Sequence, residues 1–252
     1  MIIGILGFGN LGSSLARGLI KSGCASSEGI LVCDNSPEAR GIAESDPLRI
    51  KASEDVNYVV GNSDVVFLTV KGYVFEELAK IIDRNLLKGK TVVSFMAGVS
   101  FERIVSLIGE VKLVRAMPSL AIASCEGVIG YTEAPPEITE IFSKLGYSFE
   151  TSSDSIEKVM AFSSCGLGFA AYLIDAFASA GASMGFSAET SEHIAALTFL
   201  NAARRGSFSE TVKAVATKGG ATEQGVFHMD NNNVFEIVAD AVMKAYEKMI
   251  CE

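Results

Sequence analysis

The fold is decided near the start of the chain by the stretch Ile2-Ile3-Gly4-Ile5-Leu6-Gly7-Phe8-Gly9-Asn10-Leu11-Gly12 and its continuation to Ile20. A short apolar run rich in β-branched residues predicts a buried strand, which stops at Gly7. Apolar residues then recur at helical spacing: Leu11, Leu15, Ala16, Leu19 and Ile20. A strand, a G-x-G-x-x-G turn and a helix in this order predict a dinucleotide-binding unit.

Each glycine of this turn has a separate predicted role. Gly7 allows the tight turn, Gly9 lets the backbone approach a pyrophosphate, and Gly12 lets helix and strand pack closely. The phosphates then meet the backbone N–H groups and the positive dipole end of the helix. The predicted cofactor contacts in this turn are therefore Gly7, Phe8, Gly9, Asn10, Leu11 and Gly12.

An acidic residue follows the second apolar run of the chain. Asp34 comes after the predicted strand 30–33, about where a carboxylate accepts hydrogen bonds from the adenosine ribose. A carboxylate there repels a 2′-phosphate, which favours NAD(H) over NADP(H). Arg40 is the nearby cation that favours NADP(H) instead, and a purely helix-capping role for Asp34 is the alternative.

Short apolar runs alternate with helical patterns as far as residue 150. This alternation predicts a parallel, doubly wound Rossmann-type sheet over residues 1–152. Ligands bind outside the carboxyl ends of the strands in such sheets. The predicted cofactor rim therefore includes the residues that follow three further strands: Val70, Lys71, Ala97, Gly98, Met117 and Pro118.

Residues 153–252 show helical patterns without a convincing strand, which predicts a second, all-helical domain. The predicted helices span 156–184, 188–206, 208–216 and 234–249. The first contains an uncharged apolar stretch, 159–174, which falls short of the roughly 20 residues that span a bilayer. Such a helix is buried inside a domain or between subunits. We therefore expect no membrane association, and a homo-oligomer (a dimer or a multiple of dimers) formed through these helices.

Composition excludes other classes of protein. The formal net charge of −9, with no run of Lys or Arg, argues against a nucleic-acid partner, because phosphate binding needs clustered cations. The five cysteines are widely spread and contain no C-x-x-C, which is typical of reduced thiols rather than a disulfide frame or zinc site. No basic segment precedes the first apolar run, so no signal peptide is expected. We expect a cytoplasmic protein without a bound metal.

Six motifs follow one another along the chain: the Gly7–Gly12 turn, Val70-Lys71, Ala97-Gly98-Val99, Arg115-Ala116-Met117-Pro118, Ser163-Ser164 and Gly219-Gly220-Ala221-Thr222. In this order, and over nearly the whole chain, they resemble the pyrroline-5-carboxylate reductase family. The resemblance implies that a hydride from NAD(P)H reduces a small cyclic imine acid, 1-pyrroline-5-carboxylate, to proline. It also implies that subunits assemble through the helical domain.

The candidate substrate site is the segment from Thr217 to Thr222. Gly219 and Gly220 can expose successive N–H groups to a carboxylate, as in a nest, and the two threonine hydroxyls can add hydrogen bonds. The alternative is a plain connection between helices that uses glycine for backbone freedom. The resemblance adds Ala221 and Ser163 to the substrate site and places Thr222 at the substrate nitrogen, as the catalytic candidate. Reducing an imine needs no strong protein acid, since the imine nitrogen is itself basic.

This sequence also departs from the family pattern on the substrate side. Leu167 and Phe169 stand where the family usually has proline and tyrosine, and Gly72 and Lys218 stand where it usually has proline. These differences leave two alternatives to the main interpretation. One is a paralogous reductase of another imine or keto acid, and the other is a dinucleotide-binding regulatory protein that has lost catalysis.

Overall fold

A computed structural model describes residues 1–45 and 47–250. The strands are β1 (Ile3–Leu6), β2 (Ile30–Cys33), β3 (Lys51–Ser53), β4 (Val65–Leu68), β5 (Thr91–Ser94), β6 (Lys112–Pro118), β7 (Gly127–Tyr131) and β8 (Gly146–Glu150). The first helices are α1 (Asn10–Lys21), α2 (Pro37–Glu44), α3 (Val56–Gly61), α4 (Gly72–Ile81), α5 (Phe101–Ile108) and α6 (Pro136–Leu145). The later helices are α7 (Ile156–Val159), α8 (Cys165–Ser183), α9 (Ala188–Arg205), α10 (Phe208–Val215), α11 (Ala221–Asn231) and α12 (Val234–Ile250).

The eight strands form one sheet in the order β3-β2-β1-β4-β5-β6-β7-β8. Strands β1 to β6 are parallel, so their carboxyl ends share one edge of the sheet. The strand order reverses between β1 and β4, because the chain goes from β1 outward to β2 and β3 and then returns to β4 on the other side. That reversal is the crevice where doubly wound sheets bind nucleotides.

The sheet is not parallel throughout, so the expected all-parallel arrangement is wrong at one edge. Strand β7 runs antiparallel to β6, and β8 is parallel to β7. Only residues 119–126, which include a short 3-10 turn at Leu120–Ser124, connect β6 to β7. A parallel return needs a crossover of a dozen or more residues. The short connection therefore explains the reversed strand.

The sheet core lies between two layers of helices. On one face, Ile3, Ile5 and Phe67 pack with the apolar side of α1 and with α6, and on the other face Leu6, Val66 and Leu68 pack with α3 to α5. Strands β1, β2, β4 and β5 are buried along their whole length. Strands covered on both faces read as continuous apolar runs, which is why their sequences predicted them well.

The chain divides into two compact units. The first comprises Met1–Ser164 with the segment from Tyr246 onward, and the second comprises Cys165–Ala245. The predicted boundary at residue 152 falls before α7 and a π-helical turn, Met160–Ser164, that belong to the first unit. The helix expected over 156–184 forms as one continuous helical run, in which the π turn lies between α7 and α8.

The helical unit exposes much of its apolar surface. Within residues 165–245, all of which the structure describes, the buried side chains are Ala178, Ser191 and Ala195. Tyr172, Phe227 and Phe235 are among the large apolar side chains exposed in the single chain. The continuous helical run Ser153–Ser183 also contains an 18-residue window of mean hydropathy 1.5, of which 6% is buried. By length and composition it is therefore long enough to span a membrane, contrary to the estimate made from 159–174.

Candidate functional site

The glycine turn at the end of β1 has the geometry that its sequence predicts. Gly7 has φ +98°, and a Cβ there would lie 2.6 Å from Val70 Cγ1. A Cβ on Gly12 would lie 2.0 Å from the Gly7 carbonyl oxygen, so only glycine lets α1 pack against the turn. A Cβ on Gly9, in contrast, would have nothing within 4 Å. Gly9 is thus open on the side from which a ligand would approach.

The start of α1 suits an anion. Gly9 is its N-cap and provides no side-chain cap, and the first turn of this described helix contains no acidic residue. Gly9 and Asn10 are exposed, while Phe8 is buried beneath the turn. Thr69 supports the turn, because its Oγ1 lies 2.9 and 2.7 Å from the carbonyl oxygens of Leu6 and Gly7 and can donate its single proton to either. The N–H groups and the positive dipole end of α1 are therefore accessible to an anion at the exposed Gly9 and Asn10.

Asp34 joins the glycine turn to the start of α2. The Phe8 N–H donates to Asp34 Oδ2 at 2.6 Å, and the Ser36 N–H donates to Oδ1 at 2.9 Å. Ser36, rather than Asp34, is the N-cap of α2, since its hydroxyl oxygen accepts from Ala39 N–H at 3.2 Å. A purely capping role for Asp34 is therefore wrong. The half-buried carboxylate is held at the end of β2, beside the turn.

Arg40 is committed elsewhere in this structure. Its Nη1 donates to the Asp34 carbonyl oxygen at 2.8 Å, and its Nη2 lies 3.6 Å from Glu54 Oε2.

Burial, followed by the nearby Asp34 charge, raises the pKa of the Cys33 thiol to about 11. Burial also raises the pKa of Cys165. Both thiols are therefore poor nucleophiles near neutral pH, because the thiolate is the reactive form.

The other predicted cofactor residues follow neighbouring parallel strands. Val70 touches the glycine turn as described, and the exposed Lys71 is the N-cap of α4. Ala97 and Gly98 follow β5, and Gly98 has φ +67°. Met117 and Pro118 are buried at the end of β6. Since β1, β2, β4, β5 and β6 share the edge at which they end, the structure brings the predicted cofactor set together there.

The predicted carboxylate nest is not formed. The Gly219 N–H donates to Glu223 Oε2 at 2.7 Å, and the Gly220 N–H donates to the Thr217 carbonyl oxygen at 2.8 Å. The segment also does not remain a loop, because Gly220 is the N-cap of α11 and Ala221 and Thr222 open its first turn. Thr217 and Thr222 are exposed. The donors that remain for an anion are the two hydroxyls and the start of α11.

Ser163 belongs to the first compact unit, and the Thr217–Thr222 segment belongs to the second. Its hydroxyl donates to the Val159 carbonyl oxygen at 2.8 Å, within its own helix. Its neighbour Ser164 instead donates to the Pro118 carbonyl oxygen at 2.9 Å. Ser164 is thus the residue of this pair that touches the cofactor rim, and sequence patterns alone did not distinguish the two.

Sequence reasoning missed three further residues at this edge. Thr69 directly follows β4, and a polar residue at the end of that apolar run is an available signal. Arg115 lies within the apolar strand β6 and pairs with Glu157 of α7. Nothing local in the sequence joins these last two residues.

Within 1–45 and 47–250, no group of three or more His, Cys, Asp or Glu side chains is arranged to hold a metal ion.

Comparisons with known proteins cover nearly the whole chain. The family model described as pyrroline-5-carboxylate reductase dimerisation matches residues 153–250, and the model described as NADP oxidoreductase coenzyme F420-dependent matches residues 2–98. A pyrroline-5-carboxylate reductase from Aquifex aeolicus is 30% identical, over 98% of this chain and 96% of that protein.

Solved structures agree on the fold. The Plasmodium falciparum pyrroline carboxylate reductase with NADP bound is 20% identical with a TM-score of 0.89, covering 100% of this chain and 97% of that one. A pyrroline-5-carboxylate reductase from Coxiella burnetii is 25% identical with a TM-score of 0.82, covering 98% of this chain and 96% of that one. Because a reductase of this name is 30% identical over nearly the full length and the dimerisation model matches residues 153–250, the chain belongs to the pyrroline-5-carboxylate reductase family.

Proposed function

We propose that the protein is an NAD(P)H-dependent oxidoreductase that reduces 1-pyrroline-5-carboxylate to proline. The observation that carries this proposal is the full-length similarity to a reductase of that name, 30% identical over 98% of the chain. The open glycine turn at the strand reversal also supports the proposal. Hydride transfer to an imine needs a bound nicotinamide nucleotide, and this edge of the sheet is where such a nucleotide would be held. The nucleotide, when bound, supplies the hydride.

The fit of the cofactor rests on the cradle at Gly9. A side chain there would enter space that the protein leaves empty, whereas Gly7 and Gly12 are required by the protein itself. In this proposal the start of α1 binds the pyrophosphate through Gly9, Asn10, Leu11 and Gly12. The nicotinamide end lies along the rim residues, namely Val70, Lys71, Ala97, Gly98, Met117 and Pro118.

Asp34 supports NAD(H) as the preferred cofactor. Its carboxylate is held at the end of β2 beside the glycine turn, where it would accept the ribose hydroxyls and its charge would repel a 2′-phosphate. Arg40, the cation that would offset this repulsion, already contacts the Asp34 carbonyl and Glu54. NADP(H) remains the alternative, since a modest turn of Arg40 would present its guanidinium to a phosphate.

On the substrate side, Thr217 and Thr222 are proposed to bind the imine acid. The carboxylate would accept hydrogen bonds from the hydroxyls and from the start of α11, after Glu223 releases the Gly219 N–H. The Thr222 hydroxyl would hold the imine nitrogen and orient its C=N carbon. A hydroxyl suffices for this task, because the basic imine nitrogen binds a proton without a strong protein acid.

Assembly and location complete the proposal. The match of residues 153–250 to a dimerisation model supports a homo-oligomer, and we propose a dimer or a multiple of dimers formed by the helices. The exposed apolar helical surface supports the same partner, because a second copy would cover it. We propose a cytoplasmic enzyme without a nucleic-acid or membrane partner.

The test is oxidation of NADH and of NADPH by purified protein with pyrroline-5-carboxylate, followed by nicotinamide absorbance. We expect turnover, and loss of at least tenfold in kcat/KM for Thr222→Ala, which corresponds to about 1.4 kcal/mol. Thr139→Ala is the matched control, since this half-buried threonine of α6 donates to its own helix at the Pro136 carbonyl. Binding of a nucleotide without turnover would overturn the proposal and favour a regulatory protein.

A further inference from the structure

A charged side chain is buried inside the apolar strand β6. Arg115 is 3% exposed, and the residues on both sides of it, Val114 and Ala116, are core residues at 1% and 0%. Burying an ionised group is costly unless it is paired and hydrogen-bonded. A buried arginine in the strand that leads into the cofactor rim therefore needs a reason.

The side chain has two partners in the part of the chain that the structure describes. Its Nη2 lies 2.5 Å from Glu157 Oε1, an ion pair whose side chains are 4% and 15% exposed. The same Nη2 lies 3.5 Å from the Met96 carbonyl oxygen. Its Nε is buried and finds no partner among the described residues. One carboxylate thus neutralises the charge, and one backbone carbonyl shares the same donor.

These partners belong to three elements that meet at the cofactor rim. Met96 directly precedes Ala97 and Gly98 at the end of β5, and Arg115 lies two residues before Met117 in β6. Glu157 lies in α7, and the π turn that follows α7 returns to the rim, where Ser164 donates to the Pro118 carbonyl at 2.9 Å. Arg115 therefore connects three parts of the chain: the segment after β5, the end of β6 and helix α7.

We propose that Arg115 and Glu157 form a positioning pair that fixes the rim segments Ala97–Gly98 and Met117–Pro118 for the nicotinamide end of the cofactor. This inference rests on the proposed function. Stability alone does not explain the pair, because well-packed apolar residues of similar volume are often as stable as a buried ion pair. An apolar residue cannot donate to the Met96 carbonyl, and Glu157 holds the guanidinium where it does so.

The test uses a double variant, because either single variant leaves a buried charge without its partner and is expected to lower Tm strongly. Arg115→Met combined with Glu157→Met removes both charges and should recover most of the Tm. We expect that it still binds NADH at least tenfold more weakly than the unsubstituted protein, by nucleotide fluorescence. We also expect faster amide exchange at Ala97 and Gly98 in the nucleotide-free protein.

The matched control is Arg103→Met combined with Glu76→Met. This pair joins helices α4 and α5 at the same distance of 2.5 Å, but its side chains are 52% and 46% exposed. It should leave Tm, NADH affinity and amide exchange at the rim unchanged. A buried double variant that recovers Tm and also binds NADH and exchanges its rim amides as the unsubstituted protein does would overturn the positioning role. These readouts need no substrate, so failure to turn over pyrroline-5-carboxylate would count against the proposed function separately.

Discussion

Replacing Gly9 with alanine should weaken cofactor binding without lowering the stability of the fold. The Gly9 backbone has φ −73° and ψ −159°, a conformation that alanine adopts freely, and a Cβ there meets nothing within 4 Å. Removing glycine's freedom in the unfolded chain stabilises a protein by about 0.4–1 kcal/mol at such a position. For a chain of this size we expect Tm to stay or to rise by about 1–4 °C.

Cofactor affinity should change in the opposite direction. The new methyl group occupies the open side of the turn, where the pyrophosphate would approach the start of α1. Loss of one hydrogen bond to a charged group costs about 1.5–3 kcal/mol. The dissociation constant for NADH should therefore rise roughly 10- to 150-fold, because each 1.4 kcal/mol is a factor of ten.

The assay combines thermal unfolding with titration of NADH fluorescence, and two further variants calibrate it. Gly12→Ala places its Cβ 2.0 Å from the Gly7 carbonyl, and overpacking of this kind costs about 1–3 kcal/mol, so both stability and affinity should fall. Gly41→Ala, in an open position of α2, should leave affinity unchanged. If Gly9→Ala keeps its NADH affinity, or loses stability as Gly12→Ala does, the assignment of this turn is refuted.

Three further predictions concern Asp34, Cys33 and the helical surface. Asp34→Ser should raise the ratio of kcat/KM for NADPH to that for NADH about tenfold or more, because the charge that repels a 2′-phosphate is removed; an unchanged ratio would contradict this role. The Cys33 thiol, with a pKa raised from 9.0 to about 11, stabilises the fold below pH 9 and loses this contribution as pH rises through 11. Between those pH values, the unfolding free energy of Cys33→Ala should therefore fall by about 2–3 kcal/mol less than that of the unsubstituted protein. Parallel pH profiles of the two proteins would contradict this prediction. Phe235→Asp, at a residue 79% exposed in the single chain, should shift light scattering towards monomer, whereas Ile81→Asp, at 60% exposure on the sheet unit, should not; equal behaviour of the two variants would argue against a helical interface.

The glycine turn and the strands around it were predictable because their signals are local. A buried strand, three glycines at fixed spacing and an amphipathic helix each follow from neighbouring residues, and the parallel sheet then places Asp34 and the rim residues at one edge. The direction of β7 was not predictable in this way. It depends on how β7 pairs with β6 across a short connection, and neither strand's sequence differs from that of a parallel strand.

The substrate side was predicted less well, for a related reason. Helix α11 was missed because Gly225 and a run of polar residues hide its periodicity, and its residues are exposed in the single chain. The Glu223 side chain that occupies the Gly219 N–H follows from that helix and was missed with it. The Arg115–Glu157 pair joins residues 42 positions apart, and only the folded chain brings them into contact.

The exposed apolar surface of the helical unit has a consequence for the stability of this protein in a cell. A domain that buries only a few small side chains by itself has little hydrophobic free energy of its own to offset chain entropy. We therefore expect association to stabilise it, so that by mass action its stability rises with the concentration of the protein. We expect dilution to unfold these helices before the sheet. Newly synthesised chains at low concentration would then be exposed to proteolysis until they associate.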